Sequence, residues 1–477
     1  MLLCLLLPLL AGALLPLFRF RRTVPLALYV ELATLATSAL VLRLLLTDSG
    51  GPAPVFTLIT GFDITFRADG TGKIFAALAA FLWPLATLYA FEYMEHEERP
   101  NAFFAWYTVS YAATLAVAFA GNLPTLYLAF ECLTLATLPL VTHKEDAASV
   151  RAGRKYVLYS IGGAALGFAA LMLLLPAGGG EPFRAGGILR DAQALRWIFL
   201  LCFVGFGTKA AVLPMSAWLP AASVAPTPVT ALLHAVAVVN AGAFAVLRVV
   251  YEVFGAEALF GTSVQDVALG LACVTVLFGS VMAVREHHLK RRLAWSTVSN
   301  LSYMLMGACL MTPAGRVGAL SHMIFHGMMK ITLFYCAGAV LVQTGREYVR
   351  DMRGFGRLMP YTFAVFTVAG TSLVGIPPLS GFVSKWNLLT AAAETGRAMG
   401  VAAIAALIVS SVLTAVYIYS VVTAAWFRPL EGDARELAGR RLDPRWPMKL
   451  TLAVTTLCVI AGGLWGGEII RGLRPFS

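Results

Sequence analysis

Runs of roughly 20 apolar residues recur along the whole chain, separated by short polar connections. An α-helix advances about 1.5 Å per residue, so such a run is long enough to cross a hydrocarbon layer ~30 Å thick. Within that layer each backbone polar group must find a partner inside the protein, and a helix meets this requirement by itself. Fourteen such runs can be drawn, near 1–18, 24–46, 72–94, 102–121, 123–142, 154–175, 194–222, 226–254, 263–284, 292–312, 315–344, 360–396, 399–427 and 447–466. The connections leave no room for a soluble domain, so 1–477 reads as a single membrane domain. The expected fold class is an all-α polytopic membrane protein with about 14 transmembrane helices. Segment 55–70, VFTLITGFDITFRADG, alternates apolar and polar residues and predicts a short hairpin on one membrane face.

Composition matters here for what it excludes. The chain is 59% hydrophobic and 13% charged, whereas a soluble protein carries roughly 25% charged residues. A soluble enzyme and a disordered chain are both excluded. The net charge of +11 invites a nucleic-acid reading, but the positions of the basic residues argue against it. If the N-terminus is outside, 22 Lys and Arg fall in inside loops, nine in outside segments and five within spans. That bias is the positive-inside pattern, and it predicts both termini outside. The first apolar run precedes its basic cluster, Arg19, Arg21 and Arg22, which is the wrong order for a signal peptide. It reads as a retained first helix. The seven cysteines form no CxxC pair, so no iron–sulfur or zinc motif is present and no cofactor is expected.

Two spans carry interruptions. Four prolines follow Lys209 in GFGTKAAVLPMSAWLPAASVAPTPV (205–229), and GIPPLSG precedes Lys385 in TSLVGIPPLSGFVSKWNLL (371–389). Proline removes a backbone donor and clashes with the preceding turn. Lost helical hydrogen bonds are therefore expected over 213–220 and 375–381, with the freed carbonyls facing a polar interior. The two lysines lie 176 residues apart, about five spans, which fits two five-helix repeats, 102–254 and 263–427.

Ionisable residues inside a span are costly and mark function by default. Glu131 lies about 12 Å along its span, near mid-membrane. Lys209 and Lys385 sit beside the two interruptions. His322, His326 and Lys330 are spaced by four and share one helix face. His234 and Asn240 belong to TALLHAVAVVNAGAF. Together the carboxylate, lysines and histidines suit a proton relay, because burial and neighbouring charge bring their proton affinities within reach of one another. Static alternatives stay open: a buried Glu131–Lys209 ion pair that only fixes packing, histidines bonded to carbonyls, a Lys330 that snorkels. The spacing predicts that Glu131 and Lys209 approach one another directly or through a water. His287 and His288, in REHHLKRR, read as solvated.

The segments GFGTKAAVLPMSAWLPAASVAPTPVTALLHA, LKRRLAWSTVSNLSYM, SHMIFHGMMKITLFYCAGAV and GIPPLSGFVSKWNLL resemble the antiporter-like membrane subunits of respiratory complex I. That family also includes large subunits of Mrp-type cation/proton antiporters and of membrane-bound hydrogenases. The resemblance implies fourteen helices and two inverted five-helix repeats, each with a broken helix. It implies a Glu131–Lys209 pair, a central relay of His322, His326 and Lys330, and Lys385 as the lysine at the second break. It also implies a role for Lys290, which by its context alone reads as a loop charge. Many relatives carry lysine where this chain has Asn240, so that protonation step is missing or falls to His234. With about eleven residues after the last predicted span, the pattern is nearer the Mrp D-type or hydrogenase-associated subunits.

The function implied is a proton-translocating subunit of a larger membrane complex in the cell membrane. Its partners would be other membrane subunits, protons, lipids and, as an open alternative, sodium. No nucleic acid is implied. Any redox reaction would reside in those partners. A self-sufficient cation/proton transporter and a structural subunit with an inactive channel are the alternatives.

Overall fold

The structure is a computed structural model that describes residues 1–18, 20, 23–47, 51, 53–59, 62–95, 97–431, 435 and 439–476. The basic residues Arg19, Arg21 and Arg22, and the Thr60–Gly61 turn of the expected hairpin, lie outside the described residues.

The chain is mostly helical, and the helices run in sequence order. The first half contains α1 (Leu2–Phe18), α2 (Thr23–Leu46), α3 (Gly70–Met94), α4 (Pro100–Ala118), α5 (Leu123–Val141), α6 (Ala147–Leu174), α7 (Ile198–Gly207), α8 (Trp218–Ala222), α9 (Thr227–Ala235) and α10 (Val238–Arg248). A wide π-type turn, Val249–Phe254, continues α10. The second half adds α11 (Ala256–Leu259), α12 (Ser263–Arg285), α13 (Leu289–Cys309), α14 (Pro313–Thr344), α15 (Phe355–Leu358), α16 (Pro360–Val374), α17 (Ser380–Glu394), α18 (Ala398–Phe427), α19 (Trp446–Leu464) and α20 (Gly466–Leu473).

Among the described residues, nine helical stretches are both long and apolar enough to cross a membrane. The fourteen apolar runs read from sequence exceed this number for local reasons. Helices α1, α7 and α16 are apolar but short. Helix α13 opens with Lys290, Arg291 and Arg292. The run 194–222 is divided into α7 and α8, and 360–396 into α16 and α17.

The hairpin forms as expected. Strand β1 (Ala53–Ile59) pairs antiparallel with β2 (Phe62–Phe66), from Ala53 opposite Phe66 to Ile59 opposite Phe62. It is tied to the start of α5: Gly121 N donates to Thr65 O at 2.8 Å, and Asn122 Nδ2 to Asp63 O at 2.8 Å. Asn122 also caps α5, accepting from Thr125 N through its side chain at 3.0 Å.

Burial sorts the helices into an inside and an outside. The α9–α10 stretch is wholly enclosed and α14 nearly so, whereas α2, α6 and α18 show most of their apolar surface to the outside. A helix with apolar residues on all sides and water on none is the pattern of a bundle immersed in lipid. The enclosed helices are also the ones that carry histidine, asparagine and lysine.

Candidate functional site

The first cluster is assembled where α7 stops. Four prolines follow Lys209, and residues 208–217 form successive turns rather than a regular helix. Thr208 O accepts from Ala211 N within these turns at 3.0 Å and from Trp218 Nε1 at 2.8 Å. Lys209 Nζ donates to Phe130 O of α5 and lies 3.4 Å from the centre of the Phe130 ring. It stands 3.9 Å from Glu131 Oε1, so the pair expected from sequence is formed. Lys209 is 2% exposed and Glu131 26%. Gly242 makes the arrangement possible: a Cβ there would lie 2.4 Å from Ala210 N, so only glycine lets α10 reach the turn beside Lys209.

The central group is carried by α9, α13 and α14. Helix α9 breaks at Val236–Ala237, an interruption with no proline inside it. Leu232 O accepts from both Val236 N and Ala237 N at 2.9 Å. Ala235 O accepts from Asn240 Nδ2 at 2.7 Å. His234, at the end of α9, is fully buried with its ring 4.8 Å from that of Phe334. On α14 the His322 and His326 rings stack with centroids 5.8 Å apart. Neither nitrogen of His234 or of His326 has a hydrogen-bond partner. Lys330, one turn on, is fully buried rather than snorkelling, and donates to Leu293 O at 2.9 Å and to Ser296 Oγ. Lys290 corrects the reading from context alone: it occupies the first turn of α13, is 5% exposed, and donates to Ala225 O at 3.1 Å.

Lys385 sits at the second interruption. Helix α16 ends at Gly375, whose φ of +97° favours glycine. The carbonyls this end exposes, Leu373 O and Val374 O, accept from Lys385 Nζ at 2.9 and 3.0 Å. Ser411 Oγ of α18 accepts a third bond at 3.0 Å. Next to Lys385, Ser384 Oγ lies 2.9 Å from His322 Nδ1, which connects the second break to the histidine row.

All eight residues read from sequence are therefore inside the bundle or, for Glu131, at its edge. Among the described residues no direct hydrogen bond joins the Lys209 pair to His234, or His234 to the α14 row. Both ring nitrogens of His234 and of His326 are buried and unpartnered.

Two features escaped the sequence reading. Arg248 is fully buried in a bidentate pair with Asp69, at 2.6 and 2.7 Å, and also pairs with Glu252. Glu252 in turn accepts from Arg316 at 2.6 Å, so α3, α10 and α14 are tied by a charge network. The i, i+4 spacing of Arg248 and Glu252 was the available signal. Near the opposite end of α14, His288 is not simply solvated. It lies 3.6 Å from Glu347 Oε2 and packs edge-on against Tyr348. The neighbouring His288 ring holds the Glu347 carboxyl below the ordinary carboxylate value. His287 is exposed.

Comparison with known proteins identifies relatives of this chain. The chain is 30% identical to NADH-quinone oxidoreductase subunit N of Desulforudis audaxviator, over 90% of this chain and 86% of that one. It is 32% identical to subunit L of the same enzyme from Mycobacterium tuberculosis, over 98% of this chain and 75% of that one. It is 28% identical to the Na(+)/H(+) antiporter subunit A1 of Staphylococcus aureus, over 98% of this chain and 61% of that one. A chain of the Mrp complex from Dietzia superposes with a TM-score of 0.85 at 25% identity, covering 99% of this chain and 51% of that one. A chain of the membrane-bound sulfane sulfur reductase shares the fold, with a TM-score of 0.85 at 20% identity over 99% of this chain and 96% of that one. A family model, NADH:quinone oxidoreductase/Mrp antiporter transmembrane, matches residues 120–414, and this chain belongs to that family.

Proposed function

We propose that the chain is a proton-translocating subunit of a multisubunit membrane complex, and that Glu131, Lys209, His234, Lys290, His322, His326, Lys330 and Lys385 carry the proton. The observation that carries this reading is convergence. Six separate chain segments bring titratable groups into one enclosed interior, at a cost of several kcal/mol per buried ion that packing alone would not require. Water entering between the groups would find partners in the orphaned histidine nitrogens, since a neutral imidazole accepts at one nitrogen and donates at the other.

Each lysine rests on carbonyls released by an interrupted helix or on neighbouring backbone. Such acceptors hold an ammonium without neutralising it. A proton leaving one lysine changes the field at the next group, which couples neighbouring sites.

The helices support a fourteen-span reading in which α7–α8, α9–α10 and α16–α17 are interrupted spans. In that reading 102–254 and 263–427 form two inverted repeats, and both termini lie outside. The relatives include quinone-oxidoreductase and antiporter subunits, so neighbouring genes would decide whether the driving reaction is redox chemistry or a cation gradient, and whether sodium moves as well. The test is proton uptake by the complete reconstituted assembly. Loss of uptake in Lys209→Ala and Lys385→Ala at normal complex yield is expected. Wild-type uptake in both would overturn the relay.

A further inference from the structure

Helices α13 and α14 run antiparallel, joined by the short turn 310–312. Contacts along the seam between them set their register. Lys330 of α14 donates to Ser296 Oγ of α13. The His322 ring packs edge-on against the Tyr303 ring, with centroids 5.4 Å apart. Further along, a Cβ on Gly307 would lie 3.1 Å from the Cβ of Ala319. Ser296, Tyr303 and Gly307 are spaced by seven and four residues, and Lys330, His322 and Ala319 by eight and three. Each set therefore forms one stripe that faces the other helix.

Asn300 belongs to the α13 stripe, four residues after Ser296, and His326 to the α14 stripe, four residues before Lys330. At 1.5 Å per residue both stand about 6 Å from the Ser296–Lys330 contact, at the same height in the seam. Both are fully buried. Asn300 Nδ2 donates to Ser296 O at 2.8 Å, which fixes the amide and leaves Oδ1 on its other side. That oxygen has no hydrogen-bond partner among the described residues, and neither has Nδ1 or Nε2 of His326. The same level of α14 meets the end of α9, the helix of His234: a Cβ on Gly327 would lie 3.0 Å from Ala235 O.

Orphaned buried acceptors are rare, because each forfeits its bond to water and gains none in return. Here an orphaned acceptor stands level with an orphaned imidazole, in a seam whose register is set on both sides of them. We propose that Asn300 is a positioning residue of the relay, whose Oδ1 accepts from a ring nitrogen of His326 in direct contact or across one water. The role deepens the relay reading and rests on it.

A neutral imidazole donates at one nitrogen and accepts at the other. Asn300 Oδ1 can only accept, so the nitrogen it meets must carry a hydrogen. The other nitrogen is then the basic one, and there His326 takes up the next proton. Asparagine does not ionise, so it orients the imidazole without becoming a stop for the proton itself.

The experiment follows proton uptake by the complete assembly in proteoliposomes as a function of pH. Asn300→Leu, close in size but without the acceptor, should lower uptake about tenfold or more, the scale on which losing the partner that orients a histidine is felt. Asn300→Asp keeps an oxygen toward His326 and loses the amide donated to Ser296 O. It should retain most of the uptake. Its new carboxyl titrates together with the imidazole, so the pH profile should change. A role confined to the Ser296 bond predicts the same loss in both variants. Wild-type uptake in Asn300→Leu, or equal loss in Asn300→Leu and Asn300→Asp, overturns the positioning role, while an inactive Lys209→Ala leaves the relay standing. Where Asn300→Leu assembles poorly, Asn300→Asp decides alone. Retained uptake with an altered pH profile supports the role, and lost uptake or an unaltered profile overturns it. Wild-type uptake in both Lys209→Ala and Lys385→Ala overturns the relay and this role with it.

Discussion

The ammonium of Lys209 stands 3.9 Å from Glu131 Oε1, yet the lysine is 2% exposed and the carboxylate 26%. The two charges of the pair therefore occupy different surroundings. Lys209 is enclosed by Phe130 and the turn after α7, while Glu131 lies at the edge of the bundle. Closing both charges away would add a desolvation penalty on each side that mutual attraction often fails to offset. This one is open on the carboxylate side, where a proton or a neighbouring subunit can reach it.

Lys209→Ala should reduce proton uptake by about 100-fold or more, the range for loss of a positioned acid–base group. Complex yield should stay near wild type, because the Glu131 left behind is partly exposed and can take up a proton. Glu131→Gln should reduce uptake in the same direction. Uptake in proteoliposomes and yield after detergent purification check both.

Lys385→Ala and Lys385→Arg should both abolish uptake, for different reasons. Alanine removes the carrier. Arginine can still donate to Leu373 O and Val374 O, but it does not release its proton. An active arginine variant would show that position 385 needs only a positive charge.

Asn240→Lys should assemble and retain uptake. The side chain of Asn240 already donates to Ala235 O, a carbonyl released at the α9–α10 break. Lys385 uses acceptors of the same kind at the α16 end. Loss of assembly in Asn240→Lys, judged by size-exclusion chromatography, would refute the parallel.

Gly242→Val should lower the thermal stability of the complex. A Cβ at this position would lie 2.4 Å from Ala210 N, so α10 must move away from the Lys209 turn. Overpacking of this kind typically costs about 1–3 kcal/mol. Uptake should fall as well, since the displaced turn carries Lys209. A thermal-shift measurement alongside uptake separates this variant from Lys209→Ala, which should lose uptake alone.

The connection after α14 should weaken in acid. The Glu347 carboxyl is held below its ordinary value, chiefly by the neighbouring His288 ring. For a lowered carboxyl the stabilising pair is present above the ordinary carboxylate range and is lost as pH falls through the lowered value. Hydrogen exchange at Leu289 N, which donates to Glu347 O at 2.8 Å, should therefore speed up at acid pH. In Glu347→Gln that acceleration should disappear.

Features that depend on neighbours along the chain are legible without the fold. The length of the apolar runs dictates helices able to cross a membrane. The prolines after Lys209 and before Lys385 dictate the interruptions there, because a missing N–H and a ring clash act within one turn. The four-residue spacing of His322, His326 and Lys330 dictates their shared face. Other features were decided only by tertiary structure. Lys290 reads as a loop charge until α13 carries it inward to Ala225 O. The break beside His234 has no proline to announce it. It arises where α9 and α10 pack among other helices, with Asn240 supplying a partner for the freed Ala235 carbonyl. Asp69 finds Arg248 across 179 positions. Such contacts join residues far apart in the chain, and hydrophobic periodicity carries no information about which helix faces which. That choice belongs to the packing of the bundle as a whole, where close approaches such as Gly242 against Ala210 determine which buried charges meet.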